Sequence, residues 1–533
     1  MARFLNACLG ILTLVMLSSG YVKRSVTESS DLRKHIGPNE VVTSSVLIGR
    51  CAASGISQSH ARQIVRRGSV RDGIWRSEKL ALASNGRIFA RREFVGSTDF
   101  IERVLQLLQR ERPGLFRLAQ KILVDEIALT PHARMLLASP LSPKKAKFPG
   151  FEAEIAALEE VKFGKLEAKD TIGERFTLQS LVGTPNSSAA SLKAQTSFQI
   201  EIALTDILLD HFRRQNFIAW NRFVSKDFRE GLLPFNNYPF FAASFSWLSP
   251  LLRWEKERKK PKPTPVVFHV SSTNCRLWDV DGFITRMDRA AYEKTSRFKL
   301  LGVIAAPDFD LDAWAKAKDA GLIMINFRQL FGDHAFEAIG QVQQLLKNVA
   351  GDSAKAEEEG YRELAKMIES LKTNPFIADL KALAFEALAG FLVKNHGWEE
   401  VQLNLKVPFE LPEGMTDREI DVSGQKNSWD EVCIIECKAE AATKTLDEAY
   451  VRRFFTETVP AFLKAKCTVK NPSHCRAEIW TTGIVSDSAK EALSELALKK
   501  FIQPELVGRD QLIQQLPPTL ESTKRLLQTI AAL

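Results

Sequence analysis

The chain of 533 residues has no C-x-x-C pair and no Cys/His set at zinc-binding spacing. That excludes the common structural zinc modules and paired-cysteine redox motifs. Its 7 cysteines (Cys8, Cys51, Cys275, Cys433, Cys437, Cys467 and Cys475) are odd in number and widely scattered, so no disulfide framework is encoded and a reducing compartment is expected. Neither a P-loop nor a glycine-rich dinucleotide fingerprint occurs, so no nucleotide cofactor is expected. Histidine is scarce, and His396 and His474 stand alone, which reads as surface or loop placement and not ligation. The first residues depart from soluble character. Positions 4 to 17 are almost wholly apolar, with Arg3 before them and Ser18, Ser19 and Gly20 after, the pattern of a leader or short anchor. The run is shorter than the roughly 20 residues a membrane span needs.

What is present is ordinary in bulk. Apolar residues make up 45% and charged residues 26%, as in soluble globular proteins. The formal net charge of +9 hints at a polyanionic partner. The length suits several domains. The expected division is an unassigned apolar helix over 1–40, a helical domain over 41–140, an α/β domain over 150–350 and a second α/β domain over 360–533. Polar, proline-bearing stretches at 140–149 and 254–265 and a boundary near 351–359 separate them.

Residues 40 to 95 follow the order of a helix-turn-helix with a wing. A short helix is expected over 46–53, a turn at Ser54-Gly55-Ile56, and a second helix over 57–67 capped by the Ser57 hydroxyl. Ala61, Ile64 and Val65 fall on one face, and Ser59, His60, Arg62, Gln63, Arg66 and Arg67 fall elsewhere. Asn85-Gly86 between apolar runs signals a tight hairpin, with Arg87 just beyond it. From Arg50 to Arg92 only Asp72 and Glu78 oppose ten Lys and Arg. Ser57, Ser59, His60, Arg62, Gln63, Arg66, Arg67 and Arg87 are therefore the expected DNA-contacting residues, the second helix meeting a major groove.

The two large remaining segments resemble each other. Residues 298–330 and 477–512 both run from an apolar strand through an Asp-bearing turn to an alanine-rich helix and a second apolar stretch. Each follows a β-rich strand, at 265–270 and 432–438, and an amphipathic helix, at 202–212 and 383–394. Alternating strands and helices predict two copies of one α/β unit with a mixed or parallel sheet flanked by helices.

The chemistry-bearing stretch is Ile420-Asp421-Val422 followed by Ile434-Ile435-Glu436-Cys437-Lys438. A strand through 420–422 places the Asp421 carboxylate opposite its two apolar neighbours, and residues 425–430 return the chain as a hairpin. Period-two alternation puts Glu436 and Lys438 on one face with Ile434, and Ile435 and Cys437 on the other. An acid and a lysine on one face of a core strand are expected to pair or to bind something. Two carboxylates with the Cys437 backbone carbonyl make a hard oxygen site suited to Mg²⁺ or Mn²⁺. Lys438 would hold the attacking water and offset developing charge. Glu386, on the upstream helix, is the fourth candidate.

This pattern resembles the PD-(D/E)xK nuclease superfamily, and most closely the Mrr-type restriction-endonuclease-like domains, over about residues 370 to 515. The resemblance implies an α/β restriction-endonuclease-like sheet and Mg²⁺-dependent DNA cleavage. It gives Asp421 and Glu436 as metal ligands, Lys438 as the catalytic lysine and Glu386 as the helix acid. It implies a restriction or anti-phage defence effector, with possible partner proteins of a defence system, and a homodimer is expected if this copy is the only active one, since cutting both strands needs two active sites. Glu448 and Tyr450 stand where many relatives place a glutamine. The alternative is a non-enzymatic DNA-binding or regulatory protein in which Glu436 pairs with Lys438 or Lys406 structurally. In the earlier copy no Glu-x-Lys follows strand 266–270, so that copy is expected to lack a metal site, although Glu201 and Asp206 lie on its upstream helix. Either reading places the protein in the cytoplasm, with export or anchoring through residues 4–20 as the alternative.

Overall fold

A computed structural model describes residues 32–532 apart from 68–72, 83–85, 143–148, 171–172, 180–181, 183–184, 220–232, 249–251, 255–260, 294–295, 298, 334–336, 338–339, 342–360, 363, 367, 370–376, 412–413, 428, 468–470 and 517–519. The apolar N-terminal run, Asn85 of the expected hairpin turn, most of the two proline-bearing stretches and the boundary near 351–359 lie outside the described residues. The chain is mixed α/β, with mixed sheets. Among the described residues no helix is long and apolar enough to cross a membrane.

Two compact units are present: 1–126 with 147–167 and 176–183, and 127–146 with 168–175 and 184–533. The chain therefore crosses the expected break at 140–150 more than once. Residues 127–146 belong with the second unit because helix Thr130–Leu137 is built into it. Leu136 packs against Gly282, and Arg289 donates to the Ala138 carbonyl at 2.6 Å.

The first unit begins with strand β1 (Val41–Thr43), helices α1 (Ser44–Ala53) and α2 (Gln58–Arg67), and strands β2 (Ile74–Arg76) and β3 (Ile88–Arg91). The strands form an antiparallel sheet of order β1-β3-β2. Gly55 takes φ +92° between the helices, the left-handed conformation that a side chain disfavours. Ser57 Oγ accepts from the His60 N–H at 3.4 Å, as the cap expectation requires. Ala61, Ile64 and Val65 turn inward onto Leu47, Cys51 and Phe89. Helices α3 (Thr98–Glu111) and α4 (Pro113–Asp125) follow.

Among the described residues the two largest sheets of the second unit have four and five strands. After α5 (Thr130–Leu137) and the long α6 (Pro185–Arg214) come β4 (Ala242–Ser246), β5 (Thr264–Val270), α7 (Leu277–Ala290), β6 (Leu301–Ala306), α8 (Leu311–Asp319), β7 (Ile323–Asn326) and α9 (Phe327–Phe331). Then come α10 (Ile377–Asn395), β8 (Glu399–Leu411), β9 (Gly414–Lys426), β10 (Glu431–Lys438), α11 (Glu448–Arg453), a π-helical turn (Phe454–Thr458) and α12 (Val459–Lys466). The chain closes with β11 (His474–Thr481), α13 (Asp487–Ser494), β12 (Ile502–Val507), α14 (Arg509–Gln515) and α15 (Glu521–Ala532).

The two sheets share one plan. In the first, β4 runs antiparallel to β5, and β5, β6 and β7 are parallel. In the second, β9 is antiparallel to β10, and β10, β11 and β12 are parallel, with β8 added outside β9. An isolated parallel bridge beyond the strand ends recurs as well, Cys275 to Phe309 in one and Thr445 to Ile484 in the other. In β10 the alternation is as expected: Cys433, Ile435 and Cys437 face the α10 layer, while Val432 and Ile434 face the α11–α12 layer. Parallel strands covered on both sides need apolar side chains on both faces, which is why this strand reads as a near-continuous apolar run.

Candidate active site

β9 and β10 bring the acidic pair together. Their ladder runs from Lys426 opposite Glu431 up to Val422 opposite Ile435. One step beyond, a side chain replaces the backbone partner, and the Cys437 N–H donates to Asp421 Oδ2 at 2.6 Å. Simple alternation would put Ile420 and Val422 on one face, opposite Asp421. Instead Ile420 packs in the α11–α12 layer and Val422 in the α10 layer. The alternation is interrupted at Asp421, where the ladder ends.

Glu436 and Lys438 share a face as expected, with Lys438 Nζ 3.3 Å from Glu436 Oε1. Asp421 and Glu436 are each 8% exposed. Burial holds the Asp421 carboxyl well above the usual carboxylate range, and repulsion from Glu436 and then Glu386 pushes it the same way. The Cys437 N–H and the Lys438 ammonium oppose that rise. Glu386 is half-buried on α10, within electrostatic reach of Asp421 and of the Cys437 thiol. All four candidate residues therefore belong to one electrostatic neighbourhood, with Cys437 as the backbone link between Glu436 and Lys438. The Cys437 thiol itself is buried in the α10 layer and raised well above its ordinary value, which suits a packing role.

Tyr450, which stands with Glu448 where many relatives in the resembled superfamily place a glutamine, joins the site. Its hydroxyl donates to Glu436 Oε1, and Lys438 Nζ lies 4.3 Å from its ring centroid. Burial, then the charge and acceptor oxygen of Glu436, push the phenol far up, so it stays a donor. The signal that could find it is the helix N-cap Asp447 just ahead, which sets where α11 starts and which of its residues turn toward β10.

This donor set fits a hard divalent cation. Three acids crowd one partly buried place with one ammonium among them, and a cation would relieve their mutual repulsion. Among the described residues, no group of three or more His, Cys, Asp and Glu side chains is already drawn together as a metal cage. A Mg²⁺ held by two carboxylates, a carbonyl and several waters does not require such a cage.

The first sheet carries different side chains in the same frame. Matching the strands through the two isolated bridges puts Ser271 at the place of Lys438 and His269 at that of Glu436. The antiparallel registers put Phe241 at the place of Asp421. Glu201 on α6 is buried. It accepts from the Ser272 N–H and hydroxyl, both at 3.1 Å, and lies 2.6 Å from His132 Nε2. Asp206 on the same helix is exposed.

In the first unit, Ser57, Ser59, His60, Arg62, Gln63, Arg66 and Arg67 are all exposed along α2 and its cap. Arg87, the remaining expected DNA-contacting residue, is engaged within the unit. It is half-buried and its guanidinium donates to the Glu78 carbonyl.

No family model matches the chain, and no curated protein matches it. A crystal structure of a protein of unknown function designated AF1548 is similar at 20% identity and TM-score 0.17, over 24% of this chain and 62% of that one. Protein VC1899 from Vibrio cholerae is similar at 17% identity and TM-score 0.19, over 38% of this chain and 54% of that one. The chain thus spans less than two thirds of either protein, and likenesses of this extent carry no argument.

Proposed function

We propose that residues 360–533 form a restriction-endonuclease-like domain of the PD-(D/E)xK type that hydrolyses phosphodiester bonds in DNA with Mg²⁺ or Mn²⁺. The observation that carries the reading is the meeting of Asp421, Glu436 and Lys438 at the end of the β9–β10 ladder, with Glu386 in electrostatic reach. Asp421, Glu436 and the Cys437 carbonyl would hold the metal, which when bound polarises the phosphodiester and acidifies a coordinated water. Lys438 orients that water and offsets charge on the phosphoryl oxygens. Glu386 draws on the water shell from the α10 side.

The first unit supports the same reading. Its helix pair, its β1-β3-β2 sheet and its exposed basic second helix have the order of a winged helix, placed to bind DNA by its phosphates and major groove. A duplex cut on both strands by one active centre per chain implies a homodimer. The whole would act as a restriction or anti-phage defence effector in the cytoplasm, with partner proteins of such a system as candidates. The test is plasmid cleavage with Mg²⁺ by the purified chain, across varied sequence and methylation. Loss of cleavage in Asp421→Ala and Lys438→Ala supports the reading, and equal cutting by parent and variants sinks it.

The Glu436–Lys438 ion pair, together with the Tyr450 hydrogen bond, favours one second reading, a non-enzymatic DNA-binding protein with a structural pair. DNA shifted in a gel, uncut, and bound equally by Asp421→Ala would select it.

A further inference from the structure

The acidic centre has a basic arm. Tyr450 stands at its root, bonded to Glu436, with Lys438 over its ring. Arg453, three positions along α11 and so on a neighbouring part of the helix surface, holds its guanidinium 4.9 Å over the same ring centroid. Nearby arginines are taken up by acids. Arg452 bridges Glu448 at 2.9 Å and Glu495 at 2.5 Å, and Arg418 pairs with Glu457. Arg453 is exposed, and among the described residues no carboxylate lies within ion-pair distance of it. A stacked guanidinium keeps its planar fork directed outward and ready-ordered, which suits a phosphate better than a flexible ammonium does.

We propose that Arg453 is the phosphate-contacting residue of this centre. Tyr450 is the positioning residue that holds Arg453, Lys438 and Glu436 in one frame. The inference rests on the reading of the centre as a nuclease. Its ligand is the sugar-phosphate backbone of DNA, gripped at a phosphate and not read at a base edge.

The test compares full-length parent and Arg453→Ala for binding of a fluorescein-labelled DNA duplex in EDTA, by anisotropy across a salt series. Removing the grip on one phosphate lowers the slope of log K against log salt by about 0.9. In Mg²⁺ the KM for plasmid cleavage rises about tenfold or more, while kcat falls less. Arg453→Lys keeps the parent slope but recovers KM only in part. Tyr450→Phe keeps the ring and the slope while weakening the Mg²⁺-induced rise in Tm. Tyr450→Leu lowers the slope as Arg453→Ala does, and the double variant lowers it no further. An unchanged slope in Arg453→Ala overturns the proposal whether or not the chain cuts DNA. An Arg453-dependent slope in a parent that never cuts overturns the nuclease reading and keeps the phosphate contact.

Discussion

Asp421→Asn separates a metal site from a structural ion pair. Asp421 is buried one step past Val422, where the ladder to β10 ends, and it is repelled by Glu436. Two unit charges about 5 Å apart in an effective dielectric of 20 repel by about 3 kcal/mol, the order expected for two carboxylates sharing one partly buried site. The amide removes that repulsion. Against it, the 2.6 Å bond from the Cys437 N–H becomes worth about 1 kcal/mol less with a neutral acceptor. Some attraction to Lys438 disappears too, although Lys438 keeps Glu436 at 3.3 Å. The net expectation in chelator is a gain of about 1–2 kcal/mol, or a Tm higher by about 2–8 °C for a domain of this size.

The pH dependence has the matching sign. Burial and two neighbouring acids raise the folded carboxyl above its unfolded value. The stability linked to that proton is therefore complete below the ordinary carboxylate range and is lost as pH rises through the raised folded value. In EDTA the parent loses stability over that window and the variant is spared that part. Mg²⁺ stabilises the parent and not the variant, and cleavage falls by about 10²-fold or more. Thermal unfolding in EDTA and in Mg²⁺, at several pH values, reads all of this. A variant destabilised in EDTA by about 3–5 kcal/mol, as when a buried ion pair is broken, would refute the reasoning.

Other expectations follow from the same geometry. Lys438→Ala cuts DNA about 10²–10⁴-fold more slowly in single-turnover assays while keeping the Mg²⁺-induced rise in Tm, because the ammonium serves the reaction and not the metal. Glu386→Gln weakens Mg²⁺ affinity about 10–100-fold in a titration of cleavage rate, as loss of an outer ligand does. Replacing Arg62, Arg66 and Arg67 with Ala lowers the salt slope of duplex binding by about 0.9 for every phosphate those side chains no longer neutralise. Thermal stability stays within about 0.5 kcal/mol, since all three are exposed. Glu201→Ala lowers stability by about 3–5 kcal/mol by stranding His132 and the Ser272 loop, a loss measurable in denaturant, while Mg²⁺ still stabilises the variant.

Much of the second α/β domain was legible because its signals are local. Period-two alternation in 432–438 set both faces of β10, and the polar stretch 425–430 marked the β9–β10 turn. Cap and turn chemistry placed α1 and α2 to within a few residues, through Gly55 and Ser57. What escaped depends on partners distant in sequence. The change of face between Ile420 and Val422 follows from the end of the ladder to β10, which alternation does not encode. Tyr450 stood out only as a departure from the resembled family, and its bond to Glu436 depends on β10 lying beneath it. Residues 127–140 read as part of the first helical domain because nothing local reveals that His132 meets Glu201, 69 positions away. The bond from Arg87 to the Glu78 carbonyl was likewise not legible, because a backbone partner is invisible to charge counting.

The two sheets show how little of the frame decides the chemistry. The order and direction of four strands and the bridge beyond the strand ends are shared, while at three matched positions Phe241, His269 and Ser271 stand against Asp421, Glu436 and Lys438. The first sheet has also reversed the sign of its neighbourhood. Arg286 is 1% exposed beneath it, donates to the Pro239 carbonyl at 2.9 Å and lies 3.2 Å from His269 Nδ1, with the rings of Phe240 and Phe283 against its guanidinium. A divalent cation entering there would meet a buried positive charge that has no room to withdraw, at a large Coulomb cost in that low-dielectric setting. An acid placed at His269 would stand beside Arg286, whose guanidinium lies 3.2 Å from His269 Nδ1 and would pair with it. Glu201, the acid still present on α6, is held instead by a histidine and a loop hydroxyl. The second sheet instead sets Asp421 and Glu436 near Glu386, with Lys438 and Tyr450 engaging Glu436, so its neighbourhood is acidic where that of the first sheet holds a buried base.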